Sequence, residues 1–243
     1  MIWFLFSIVF WSFLFVSSVV LFPVAVLIWA VTAPFDLRKR LLHQFTCFWA
    51  SLYTWFNPAW PVTVEGREKA RTDRPTVMIA NHLSLLDILV MFRTFLHFKW
   101  VSKIEVFRVP FIGWNMSLNG YIKLKRGDRA SVVQMLQRCE EVLAAGNSVM
   151  MFPEGTRSPT GKMRDFKPGA FEIAIRTRSP LQPILIQGTA DALPKRGFVL
   201  RGRHPIHVTF LDPIPPESFS HLSPEELAWQ VRSTMVKALT EPG

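Results

Sequence analysis

The sequence predicts an α/β fold, a mixed and mostly parallel sheet flanked by helices, preceded by an N-terminal membrane-embedded helical segment. Two observations carry this. From about residue 76 onward, short apolar runs alternate with amphipathic helical stretches, the pattern of a layered α/β domain. Ahead of them, residues 1–35 hold no charged side chain. Hydrophobic residues make up 49% of the 243, and charged residues 19%, so a sizeable core can form with apolar side chains left over for a membrane.

The apolar run comes first. As one straight helix, 35 residues would reach roughly 52 Å, against a hydrocarbon core about 30 Å thick. Pro23 divides the run, so a bend or re-entrant hairpin is expected near it. A cleavable signal peptide fits poorly. There is no basic n-region, and the run far exceeds the usual length of about 7–15 residues. The segment therefore reads as a retained anchor, spanning or monotopic. Arg38, Lys39 and Arg40 follow at once, which places the next domain on the cytoplasmic face. Leu41, Leu42, Phe45, Phe48, Trp49, Leu52, Trp55 and Phe56 then recur at helical spacing. That face either packs on the globular domain or lies in the lipid headgroup layer. Asn57-Pro58 and Pro61 mark the junction, giving an anchor with amphipathic helix over 1–57 and an α/β domain over 58–243.

Within the domain, Thr76–Ala80 reads as a buried strand and Ser84–Leu96 as a helix. Phe98–Ser102 and Tyr121–Leu124 read as two more strands. Asp128 is placed to cap a helix that Gly146 stops. Ser148–Phe152 is a strand, Gly169–Arg176 a helix, and Leu181–Gln187 and Ile206–Leu211 are strands. Ser223-Pro224-Glu225-Glu226 opens the last helix as a capping box with Pro at its first position.

The net charge of +10 falls wholly after Phe35. Basic domains meet nucleic acid, anionic membranes or anionic substrates. Nucleic acid is the weakest of these, since no zinc-ligand spacing or RNA-binding signature is present. No cluster of His, Cys and carboxylates has metal-ligand spacing, so no metal is expected. Cys47 and Cys139 on a cytoplasmic face predict no disulfide, and neither has the context of a nucleophile.

The chemistry centres on Asn81-His82-Leu83-Ser84-Leu85-Leu86-Asp87. A strand runs into His82, and Asp87 stands in the first turn of the next helix. A carboxylate there can bond one imidazole nitrogen and leave the other as a base. This is the base-and-orienter half of a triad, and the hydroxyl it activates can belong to the substrate. The same segment also reads as an N-terminal cap, Ser84-x-x-Asp87. His207 and Asp212 repeat the spacing, but along a strand and its exit, and read as chance.

The run Phe152-Pro153-Glu154-Gly155-Thr156-Arg157-Ser158 is a turn at the end of another strand, and it projects Glu154 and Arg157 towards the His82 loop. Arg suits phosphate because its fork binds two oxygens. Arg126 and Lys103 each lie at a further strand end. Lys162, Arg164, Arg176, Arg178, Arg201 and Arg203 read as a solvated face or contacts to anionic lipid heads.

His82 with Asp87, Gly120 to Arg126, the FPEGTRS run and Gln182-Pro183-Ile184-Leu185 stand in the order and approximate spacing of four acyltransferase motifs. The chain resembles the glycerolipid acyltransferase family that includes 1-acylglycerol-3-phosphate acyltransferases, over roughly residues 60–215. The resemblance implies His82 as general base and Asp87 as its orienter. It implies Arg126, Glu154, Gly155, Thr156 and Arg157 at the glycerol-phosphate site, with Lys103 nearby. Phe166-Lys167-Pro168-Gly169 would shape the acceptor side, and Pro183 would line the site. It further implies acyl-CoA or acyl carrier protein as co-substrate, no cofactor, a lysophospholipid acceptor, and a two-helix membrane element before the catalytic domain. Lys123 and Lys125 make the second motif unusually basic, and Ala190–Arg203 has no counterpart. Three other readings stand beside lysophosphatidic acid acylation. They are acylation of another lyso-lipid (lyso-ornithine lipid or lysophosphatidylethanolamine), a membrane hydrolase lacking a G-x-S-x-G elbow, and a non-catalytic anionic-lipid binder.

Overall fold

The structure, a computed structural model, describes residues 1–193, 199–200 and 202–240. Arg201 and part of the Ala190–Arg203 segment lie outside the described residues. Helix α1 (Ile2–Thr32) and helix α2 (Arg40–Trp55) form an antiparallel hairpin. The α1 face that meets the protein repeats about every seven residues, at Ser18, Ala25 and Thr32, with Ser7 and Phe10 ahead of them. Phe10 packs edge-on to Trp60, and Ser17 Oγ lies 3.0 Å from Tyr53 Oη of α2. The rest of α1 is apolar and largely exposed, long and apolar enough to cross a membrane. The chain is thus fitted for membrane association.

Two expectations change here. The helix runs unbroken through Pro23, and the chain reverses instead at Ala33–Lys39. One proline removes a single N–H donor, and packing of the neighbouring Phe22 on Phe111 and Trp114 holds the helix together. The apolar residues of α2 also split between two faces. Leu42 and Trp49 are buried on the domain, whereas Leu41, Phe48 and Trp55 are exposed. The packing reading therefore holds for one face, and the other is left exposed.

The remaining elements build the sheet. They are β1 (Val62–Glu65), β2 (Val77–Ala80), α3 (Leu86–Phe92), β3 (Phe98–Lys103), α4 (Ile112–Leu118), β4 (Ile122–Leu124) and α5 (Arg129–Ala144). After them come β5 (Ser148–Met151), α6 (Gly169–Thr177), β6 (Leu181–Gln187), α7 (Thr189–Ala192), β7 (Ile206–Phe210) and α8 (Pro224–Thr240). Strand order is β1-β7-β6-β2-β5-β3-β4. Every pairing is parallel except β6 with β7. The expected mixed, mostly parallel sheet is present.

Alternation along the strands makes two cores. Met78, Ala80, Trp100, Met150 and Ile184 face the layer of α1–α4. Val77, Ile79, Val149, Met151 and Leu185 face α5, α6 and α8. Asp128 caps α5 through the Ser131 N–H, and Ser223 with Glu226 forms the capping box of α8. The helix expected over Ser84–Leu96 is shorter, because Ser84 and Leu85 serve its entry turn and Phe95 takes a left-handed conformation.

Polar contacts bolt the hairpin to the sheet. Buried His43 donates from Nε2 to the Leu96 carbonyl at 2.8 Å, so Nδ1 accepts from the Tyr121 hydroxyl at 2.9 Å. Burial holds this imidazole well below its usual pKa, in its neutral form. Lys99 donates to the carbonyls of Arg38 and Asn119 at 2.8 and 2.9 Å, joining the hairpin turn to the end of α4. Burial, and then Lys39, lower the Lys99 pKa from 10.5 to about 7. The unfolded chain keeps that proton to higher pH, so it binds more protons than the native state between these two values. Stability should therefore rise with pH across that window, by about 2 kcal/mol from pH 7 to pH 9. Denaturant unfolding of Lys99→Met should lack this rise.

Candidate active site

Parallel strands deliver their carboxyl ends to one edge, and loops there converge. The loop after β2 carries His82, and the first turn of α3 carries Asp87. His82 Nδ1 lies 2.8 Å from Asp87 Oδ2. The same oxygen accepts the Leu83 and Ser84 N–H groups at 2.6 and 2.8 Å. Asp87 is therefore both cap and partner to His82, so the two sequence readings describe one geometry. An acceptor-only carboxylate here fixes Nδ1 as the protonated nitrogen and leaves Nε2 for the cavity that His82 lines.

The loop after β5 holds His82 from the other side. Glu154 Oε1 accepts the His82 N–H at 2.7 Å, and Ser158 N–H donates to the His82 carbonyl at 2.9 Å. The Phe152 ring stacks on the imidazole at 4.0 Å, almost coplanar. Glu154 is buried, and its other oxygen accepts the Arg164 N–H at 2.9 Å. Burial raises its pKa, and the two N–H donors work against that rise. Glu154 does not line the cavity beside His82, whereas Gly155, Thr156 and Arg157 do. Gly155 has φ +70, and a Cβ there would press on the Lys167 side chain. Only glycine meets both conditions without strain.

The cavity is about 650 Å³. One end gathers cations: Lys103, Arg126, Arg157 and Lys167. Lys103 also meets Glu105 at 3.4 Å. Partial burial lowers the Arg126 pKa; nearby Glu105 works against that fall, and Arg157 adds to it. Two guanidinium groups this close repel, and an anion between them relieves that repulsion. The body of the cavity is apolar, with Trp49 and Tyr53 from α2, Ile88 and Phe92 from α3, and Met116 from α4. Such an enclosure suits a molecule with an anionic head and a long apolar chain. Among the described residues, no three His, Cys, Asp or Glu side chains gather so as to hold a metal ion.

Several expected residues lie elsewhere. Pro183 sits inside β6, between β2 and β7, and does not line the cavity. His207 is exposed on β7, and Asp212 pairs with Lys69 at 3.0 Å, so that second copy is chance. Arg176 pairs with Glu140 and Glu172, and Arg178 ends α6 in a left-handed conformation. One residue outside the sequence expectation enters the site: Thr189 donates to Asp87 Oδ1 at 2.5 Å. Its only sequence signal is its place just past the carboxyl end of β6.

Comparison with known proteins adds an independent line. The sequence model of the family described as Acyltransferase matches residues 61–187. A 1-acyl-sn-glycerol-3-phosphate acyltransferase of Chlamydomonas reinhardtii is 39% identical over 190 residues, covering 77% of this chain and 57% of that protein. A chloroplastic enzyme of the same name from Arabidopsis thaliana is 38% identical, covering 78% and 55%. One from Saccharomyces cerevisiae is 37% identical, covering 75% and 61%. The chain thus spans somewhat more than half the length of these relatives. The crystal structure of a 1-acyl-sn-glycerophosphate acyltransferase from Thermotoga maritima shares the fold, with a TM-score of 0.76 at 24% identity over 98% of this chain and 96% of that one. Since the family match takes in just over half of the 243 residues, and with them both loops that hold His82, this chain belongs to the acyltransferase family.

Proposed function

We propose that this chain transfers a fatty-acyl group from a thioester to the sn-2 hydroxyl of lysophosphatidic acid, giving phosphatidic acid for phospholipid biosynthesis. The observation that carries this is one cavity lined by His82, whose imidazole Asp87 holds, by the cations Lys103, Arg126 and Arg157, and by apolar side chains. The names of the algal, plant and yeast relatives support the choice of acceptor.

His82 Nε2 takes the proton of the acceptor hydroxyl as its oxygen attacks the thioester carbonyl. The tetrahedral adduct collapses, the carbon–sulfur bond breaks, and the imidazolium returns the proton to the departing thiolate. Asp87 holds the imidazole in the correct tautomer and stabilises its cation. Arg126 and Arg157, with Lys103, grip the phosphate and place the hydroxyl, while Gly155 and Thr156 shape that wall. Positioning of this kind can contribute about 7–11 kcal/mol, and the base a further factor of about 10²–10⁴. Glu154 acts as a brace, tying the His82 backbone to Arg164, and does not meet the phosphate itself. The donor is acyl-CoA or acyl carrier protein, with no further cofactor. The helical hairpin holds the enzyme on the membrane, and Arg38–Arg40 put the catalytic domain on the cytoplasmic face.

Membranes or purified enzyme given labelled oleoyl-CoA and lysophosphatidic acid should form phosphatidic acid, in preference to acylating lysophosphatidylethanolamine or lyso-ornithine lipid. A preference for either alternative acceptor would overturn the assignment. His82→Ala should lower kcat at least about a hundredfold while the circular dichroism spectrum stays unchanged. Near-normal turnover in that variant would remove His82 as the base. Arg157→Ala should raise the KM for lysophosphatidic acid about tenfold with a smaller change in kcat. An unchanged KM would take Arg157 away from the phosphate.

A further inference from the structure

The Asp87 carboxylate is fully buried, and its two oxygens are served differently. Oδ2 meets three donors, His82 Nδ1 and the Leu83 and Ser84 N–H groups. Oδ1 meets the Thr189 hydroxyl at 2.5 Å. The N–H donors crowd one oxygen and leave the twist of the carboxylate about Cβ–Cγ open. A donor on the second oxygen closes that freedom. The plane of the carboxylate then decides where the lone pair on Oδ2 points, and so how the imidazole sits.

Thr189 is itself fully buried, and its position is tightly set. Gly188 before it has φ +82, and a Cβ there would lie 1.9 Å from the Pro205 carbonyl oxygen. The chain can pass this point only as glycine, pressed against the start of β7. The segment around Thr189 grips the His82 loop at two further places. The Asn81 side chain exchanges both of its hydrogen bonds with the Ile186 backbone at 2.8 Å, and the Ser84 hydroxyl donates to the Leu193 carbonyl at 2.8 Å. The β6–α7 connection is thus a rigid jig for the loop, and Thr189 is the part of it that reaches the reacting pair.

We infer that Thr189 is a positioning residue for His82, acting through the second oxygen of Asp87. It touches neither substrate nor the reacting atoms, so its removal should be read in turnover and not in acceptor affinity. An anion that loses a hydrogen-bond donor holds protons more tightly. Loss of the hydroxyl should therefore also move the acidic limb of the kcat/KM profile to higher pH.

The test compares Thr189→Val, which keeps the shape, with Thr189→Ser, which keeps the hydroxyl. Its kinetic arm rests on the acyl transfer proposed above. Thr189→Val should lower kcat about tenfold to a hundredfold, leave the lysophosphatidic acid KM within about twofold, and shift the acidic limb upward. Thr189→Ser should restore kcat and the limb to near wild type. The spectroscopic arm needs no substrate. The downfield Nδ1–H proton resonance of His82, assigned by its loss in His82→Gln, should stay sharp in Thr189→Ser and be displaced or broadened in Thr189→Val. If Thr189→Val does not fold, Thr189→Ala takes its place against the serine variant. Unchanged turnover and resonance in the valine variant would overturn the inference, as would equal impairment of valine and serine variants. If the wild-type protein does not acylate lysophosphatidic acid, the proposed function fails, and the resonance still decides the role of Thr189.

Discussion

A buried carboxylate to which, among the described residues, no lysine or arginine is bonded needs hydrogen-bond donors on both oxygens, and Asp87 has them. That requirement organises the rest of the site. The backbone donors exist only because the chain turns at Leu83–Ser84 on leaving β2, and the hydroxyl donor only because β6 runs parallel to β2 and ends at the same edge. Leaving such a group without its partners costs more than a typical hydrogen bond gains. The loop is therefore confined to one arrangement, in which Nδ1 of His82 is committed and Nε2 is not. The hydroxyls of Ser84 and Ser158 are engaged with the carbonyls of Leu193 and Lys162, so neither serine is poised as a nucleophile on His82. This favours a hydroxyl brought by the substrate over a hydrolase-like serine.

The helical hairpin packs beside that edge and carries the long apolar helix α1. Trp49 and Tyr53 on one face of α2 line the cavity, while Phe48 and Trp55 on another are exposed, with Trp55 stacked on Phe95. Apolar surface is thus present both outside the cavity and within it. The cations Lys103, Arg126 and Arg157 line the same cavity from the ends of β3, β4 and β5. The fold supplies the cavity's apolar and cationic lining from different sources, largely helices for the first and strand ends for the second.

Much of this is legible in the chain. The base, its orienter and the cationic turn lie within local runs whose spacing is fixed by one strand end and one helical turn. The capping of α5 and α8 is equally local. What escapes the sequence depends on tertiary neighbours. Thr189 stands 102 residues from Asp87, in a dipeptide that reads as an ordinary turn. Phe152 shows as the end of an apolar strand, and only the sheet places its ring on the imidazole. Glu154 reads as a glycerol-phosphate residue turned towards the His82 loop, but its oxygens are taken by two backbone N–H groups. The edge strand β1 is four residues long, and α4 begins at Phe111 with φ +62, a conformation that no propensity favours for a bulky residue.

The difference between Glu154 and Arg157 shows how one short motif does two jobs. They lie three residues apart in a turn that leaves β5, and Gly155 between them takes φ +70. That left-handed step lets the backbone reverse, so that the carboxylate points back to the His82 backbone while the guanidinium faces the cavity. A side chain at 155 would meet Lys167 as well as a strained backbone. The glycine therefore couples the placement of His82 to the placement of Arg157. Any shift of this turn moves both at once.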